Sequence, residues 1–313
     1  MRLPFRARPS RRLVADLCLL AVAIAWGGSY GATKVALRYD GVLAFLALRF
    51  ALTSLGLVPF AGRALLARPG IHLGIGMKMG VILFLIFVLE TYGVNYTSAS
   101  NAALLISLCV LFTPLVDAVL TGRRPDRAIF GLALLYVAGA ALLTGAGAGG
   151  LRMGDLLILA AALCRALMVT ATKRWTRDQD DLSSGALTLV QLATVAALTA
   201  GLGLCLPPSA GSWAIPLDAP FLASLLFLTG ICTGFAFFVQ THMVRATSPV
   251  RVAFLMGLEP LFGAAFGLLL LGDRPTVAGA AGSVLILSAV LLGLRRDGRP
   301  TVPAPAMAAT GRA

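Results

Sequence analysis

In 313 residues the chain is 58% hydrophobic and only 12% charged, with a mean hydropathy of +0.90. Soluble domains carry about 25% charged residues, so this chain lacks the polar surface of a water-soluble globule. The net charge of +13 suggests a nucleic-acid surface at first sight, but the placement of the charges along the chain excludes that reading.

Apolar runs of about 18–25 residues, the length a bilayer core requires, recur from end to end. They predict an all-α integral membrane protein with ten transmembrane helices at about 13–33, 42–60, 74–96, 98–121, 128–146, 154–173, 184–206, 219–243, 248–271 and 276–294. The first follows a basic leader, "MRLPFRARPSRR", as a signal peptide would. Its apolar stretch continues to about residue 33 without a convincing cleavage site, so it reads as an uncleaved helix. With the N-terminus inside and the helices alternating, twenty of the 26 Lys and Arg fall on cytoplasmic segments. Only Lys34, Arg38, Arg152 and Arg274 lie outside, while Arg49 and Arg165 lie within spans. That asymmetry is the positive-inside rule; it places both chain ends in the cytoplasm, in a bacterial inner membrane, and accounts for the basic balance without nucleic acid.

Along the first helix, Trp26 and Tyr30 sit one turn apart near mid-span. They read as lining a pocket for a hydrophobic or aromatic metabolite, with an interfacial aromatic as the alternative. Arg49 in the second helix and Glu90 in the third fall in the outer third. They read as an ion pair, with an outer gate as the alternative. Arg165 in the sixth helix is either a counter-charge for substrate or a packed structural residue. Asp117 and His242 come near the cytoplasmic ends of their helices, within reach of water. Cys18, Cys109, Cys164, Cys205 and Cys232 lack CxxC spacing and read as small core residues, with neither disulfide nor metal implied. "GAGAGG" (145–150) satisfies G-x-G-x-x-G but follows a membrane helix and not a strand, so it reads as a loop. Gly27–Gly31, Gly230–Gly234 and Gly263–Gly267 have the spacing of close helix packing, with a substrate groove as the alternative. The Pro/Ala-rich tail, 296–313, reads as disordered.

A shift of 150 residues lays "TSASNAALLISLCVLFTPLVDAVLTGRRP" (97–125) on "TSPVRVAFLMGLEPLFGAAFGLLLLGDRP" (247–275) with eleven identities in 29 positions. It also pairs Glu90-Thr91-Tyr92 with Gln240-Thr241-His242. Five helices separate the copies, so the second must cross in the opposite sense. The chain is therefore two inverted five-helix repeats, 13–146 and 154–295, the architecture of secondary transporters with a site near the midplane. In the ninth helix Pro260 removes an N–H and frees the carbonyl of Met256, which is tolerable only where protein or cavity water meets it. Glu259 shares a face with Gly263 and Gly267, which would leave room beside its carboxylate. The pair reads as a binding or proton-coupling site, with a structural partner on another helix as the alternative.

"WGGSYGATKVAL" (26–37), "LRF" (48–50), "LEP" (258–260) and "LGDRP" (271–275), in this order, resemble the motifs of EamA-type transporters in the drug/metabolite transporter superfamily. The resemblance covers about 13–295 and implies a 5+5 inverted bundle that moves small metabolites, commonly outward. The chain departs from the family pattern at Gly122-Arg123 and Gly272-Asp273, where Gly-Glu is usual, and at Val110, where proline is common. The expectation is a transporter and not an enzyme, working by alternating access on amino acids or similar zwitterions. A multidrug or quaternary-amine exporter is the alternative, and an integral-membrane lipid-modifying enzyme the rival from another class. Substrate binding is expected of Trp26, Tyr30, Arg165 and Glu259, and gating or coupling of Arg49, Glu90, Gln240, His242 and Pro260. The partners are a small-molecule substrate and the lipid bilayer, with no cofactor, and the protein is a monomer or homodimer.

Overall fold

A computed structural model describes residues 9–36, 41–97, 99–122, 126–145, 152–179, 181–206, 218–271, 274 and 276–297. The Gly-Asp-Arg-Pro and Gly-Arg-Arg-Pro ends of the repeats, most of "GAGAGG" and the tail beyond Asp297 lie largely outside these. Among the described residues there is no strand. Ten helices among the described residues are long and apolar enough to cross a membrane: Leu13–Thr33, Val42–Ala67, Pro69–Val94, Ala102–Thr121, Arg127–Thr144, Met153–Trp175, Ser184–Cys205, Ala219–Ala246, Pro249–Leu269 and Val277–Asp297. We call them spans 1 to 10. At 1.5 Å per residue they are about 27–42 Å long, against a hydrocarbon core of about 30 Å.

Their ends are set by local chemistry. Asp126, Ser183, Asp218 and Ser248 each accept a hydrogen bond from a backbone N–H of the first turn that follows, which satisfies donors the helix itself cannot. Spans 2 and 3 run longer than the hydropathy pattern suggests and meet at a single residue, Arg68. The reason is propensity: "GRALLA" is rich in strong helix formers, and Pro69 then opens the next helix where its missing N–H costs nothing.

The principal contacts repeat between halves. Span 2 packs along span 7, and span 5 along span 10. Span 3 lies against span 6 as span 8 lies against span 1, and span 4 against span 6 as span 9 against span 1. Adding five to each number maps these contacts onto themselves, and five is odd, so the halves are inverted copies. Two close crossings need glycine: a Cβ at Gly139 would lie 2.8 Å from the carbonyl oxygen of Gly282, and one at Gly27 would lie 2.6 Å from Cβ of Phe262. The outer surface is apolar, with Leu269 80% and Val277 90% exposed, which suits a bundle whose solvent is lipid.

The bundle end where span 1 starts and span 10 finishes, here the terminal face, is tied by charges. Arg251 binds Asp16 at 2.7 and 2.5 Å and the carbonyl of Leu294 at 3.2 Å, Ser248 donates to Asp297 at 2.7 Å, and Lys173 donates to the carbonyl of Arg245 at 2.6 Å. On the opposite face the hydroxyl of Thr97 donates to Asp155.

Candidate functional site

Both central spans of the repeat are broken at the same place. Span 4 divides at Leu108 and span 9 at Gly257–Leu258, so that new helical segments begin at Cys109 and Glu259, 150 residues apart. Span 4 breaks without a proline at 110, so the discontinuity belongs to the fold and not to Pro260 alone. Beyond the Met256 carbonyl, which Pro260 cannot reach with a donor, the carbonyl of Gly257 is also diverted from the helix, because Leu261 N–H bonds Leu258 instead. The buried phenol of Tyr136, on span 5, donates to it at 2.6 Å. The sequence reading missed Tyr136; its only signal was a hydroxyl-bearing side chain midway along an otherwise apolar helix.

The break carries Glu259 into the interior, 6% exposed. Its partner is Arg165 at the middle of span 6, whose Nη1 lies 3.4 Å from Oε2 of Glu259. The other end of the same guanidinium holds Glu90 of span 3, with Nη2 3.0 and 3.3 Å from its carboxylate oxygens. The guanidinium carbon stands 5.4 Å from the centre of the Trp26 ring, within cation–π range. Trp26 is fixed by its indole N–H, which donates to the carbonyl of Cys232 at 2.8 Å, and by Phe237, 5.3 Å between ring centres. Cys232 lies where span 8 widens into a π-helix, Phe227–Phe235, a geometry common at functional sites. Spans 1, 3, 6, 8 and 9 thus converge on one arginine and two glutamates.

Trp26, Phe237 and Arg165 border a cavity of about 40 Å³, lined also by Phe87, Met168, Gln240 and Val252 among others; Glu90 and Glu259 meet it through Arg165. A water requires about 10–15 Å³ measured this way, so several fit. The lining extends from Arg165 towards the terminal face.

Three expectations are corrected. Arg49 and Glu90 do not pair: Glu90 belongs to Arg165, while Arg49 donates Nε–H to Thr233 Oγ1 at 2.7 Å and lies 5.3 and 5.7 Å from the rings of Phe87 and Phe50. Spans 2 and 3 are consecutive but splay apart, span 2 turning to spans 7 and 8, so equal depth did not bring the two charges together. The space expected beside Glu259 at Gly263 is filled by span 1, whose Gly27 carbonyl would lie 3.5 Å from a Cβ there; this glycine serves packing. His242 is exposed, accepts or donates at 3.2 Å with Ser184, stacks on Phe238 and is not among the cavity-lining residues. Gln240 does line the cavity, and Pro260 sits in the first turn of the new segment. The side chain of Tyr30 lies outside the described residues.

Ten spans, an inverted repeat and a charged cluster at broken helices in mid-bundle are the architecture on which membrane transporters are built. The sequence model of the EamA-like transporter family matches residues 13–145 and again 152–295, so the chain belongs to that family. It is 26% identical over 282 residues to an "Uncharacterized transporter" of Archaeoglobus fulgidus, covering 90% of this chain and 86% of the relative. It is 28% identical over 293 residues to the "Uncharacterized transporter YvbV" of Bacillus subtilis, covering 88% and 90%. A solved crystal structure superposes with a TM-score of 0.73 at 22% identity over 90% of this chain and 98% of the other, which speaks for the fold.

Proposed function

We propose that this transporter exports small zwitterionic organic solutes, amino acids first among them, across the bacterial inner membrane by alternating access, with both chain ends in the cytoplasm. The observation that carries the reading is Arg165 held between Glu90 and Glu259 beside Trp26, at the wall of the cavity. A zwitterion can enter such a triad by exchange: its carboxylate takes one face of the guanidinium, and the glutamate it displaces receives its ammonium group. The net charge of the site is then unchanged and each displaced group finds a new partner, which matters because an unpaired charge at mid-membrane costs about 2.5–3.5 kcal/mol on insertion scales. Trp26 offers the apolar wall. The basic segments near the terminal face support the orientation, and two relatives named as transporters support transport over enzymatic chemistry.

A second reading has its own support. Two carboxylates face one guanidinium, with an indole alongside, which also suits a quaternary amine. The test is resistance of expressing cells to a panel of toxic amino acid analogues and, in parallel, cationic dyes. Protection against analogues that is lost in a membrane-inserted Glu259→Gln variant is the expected result. Protection against dyes alone would shift the assignment to the cationic class, and full protection by Glu259→Gln would remove Glu259 from the site.

A further inference from the structure

On the terminal-face side of the charged cluster lies a second, smaller chamber of about 10 Å³, lined by Met79, Met168, Thr172, Gln191, Gln240 and Thr241 with two valines. Gln191, Thr172 and Thr241 are 1–3% exposed and Gln240 is 6% exposed. Oε1 of Gln191 has no hydrogen-bond partner, and its Nε2 reaches only the sulfur of Met168, at 3.5 Å, a weak acceptor. Buried amides are nearly always satisfied, and one that is not calls for a reason. Packing supplies none here, because a leucine would fill the same volume without the desolvation cost.

Position supplies one. Gln240, Met168 and Val169 line both this chamber and the larger cavity, so these three form the wall between them, and the methionine is its unbranched, adaptable member. No charged side chain lines the chamber, so it suits an uncharged group that hydrogen-bonds the free end of the Gln191 amide.

We propose that Gln191, Gln240, Thr172 and Thr241 form a second, uncharged subsite. It takes the hydrogen-bonding tail of the solute, a hydroxyl as the chamber stands and a larger amide once Met168 turns aside, while the charged head lies on the Arg165 cluster; Met168 is the movable member of the partition between them. The proposal rests on the reading of the Arg165 cavity as the transport site. It makes Gln191 a specificity-determining residue: a site built to hydrogen-bond a polar group discriminates strongly against an analogue that lacks it, because its own buried groups are then left unpaired.

The experiment measures uptake into proteoliposomes for pairs alike in head and size but different in tail: glutamine against norleucine, threonine against valine, and choline against propyltrimethylammonium. The choline pair carries the quaternary head, so the tail preference is read whichever head class the protein takes. In the wild type the polar member of the transported pair should be favoured at least tenfold in kcat/KM, and in Gln191→Leu and Gln240→Leu the ratio should fall towards one. Equal rates for the two members in the wild type, or an undiminished ratio in Gln191→Leu, would overturn the subsite. If no pair is carried, the proposed substrate class has failed, and thermal melting of the purified protein decides about the subsite alone. Gln191→Leu should then melt at or above the wild-type temperature, as expected for an amide retained for binding, whereas a lower melting temperature would assign Gln191 to structure and reject the proposal.

Discussion

The pairing of Arg165 with Glu90, in place of Arg49, can be decided by a double-mutant cycle. The Arg165–Glu90 contact joins one guanidinium nitrogen to both carboxylate oxygens, at 3.0 and 3.3 Å, between side chains 19% and 16% exposed. Residues that share an ion pair couple by about 0.5–3 kcal/mol, and a 3.0 Å contact with little solvent puts this pair above the bottom of that range, at about 1–3 kcal/mol. Arg165→Met should destabilise the protein most, because it strands two buried carboxylates, whereas Glu90→Gln leaves Arg165 its contact with Glu259 and should cost less; breaking a buried pair costs about 3–5 kcal/mol. The double variant should recover the coupling. Arg49 bonds Thr233 and lies over Phe87 and Phe50, so the Arg49→Met and Glu90→Gln cycle should give less than half the coupling of the first. The assay is reversible unfolding of the purified protein in mixed micelles, with the free energy taken for all four members of each cycle. An Arg49–Glu90 coupling equal to or larger than that of Arg165–Glu90 would refute the assignment.

Other consequences are as concrete. Tyr136→Phe removes the donor to the Gly257 carbonyl and should cost about 1–3 kcal/mol, the penalty of a buried acceptor left unpaired; unchanged unfolding would mean the carbonyl finds another donor. Gly27→Val should lower the melting temperature, because its Cβ would stand 2.6 Å from Phe262 Cβ and overpacking costs about 1–3 kcal/mol. Gly31→Ala, with nothing within 4 Å, should be neutral, and equal effects at the two sites would contradict the close span 1–span 9 crossing. In a cysteine-free background, a single cysteine at Arg177 should react with impermeant thiol reagents only from the cytoplasmic side; labelling from outside would invert the proposed topology.

Class, number of spans and inverted duplication were all written in one dimension. Apolar length sets which segments cross a bilayer, irrespective of their neighbours, and Thr97-Ser98 against Thr247-Ser248 reports duplication by simple alignment. The sequence also marked Glu259 and Arg165, because a charge in an apolar run stands out wherever it is. What it did not contain in readable form is which spans touch. Arg165 is 75 residues from Glu90 and 94 from Glu259, and their meeting depends on span 6 packing against spans 3 and 9, while spans 2 and 3, adjacent in the chain, splay apart. Lipid is as apolar as the helix surfaces, so hydropathy does not distinguish a face that meets lipid from one that meets a helix. Small residues at crossings such as Gly27 on Gly263 and Gly139 on Gly282 and hydrogen bonds between spans choose the neighbours. Tyr136 and Gln191 went unnoticed for the same reason: each is unremarkable in its own helix, and each acquires a role from a group on another span, a freed carbonyl in one case and a shared chamber in the other.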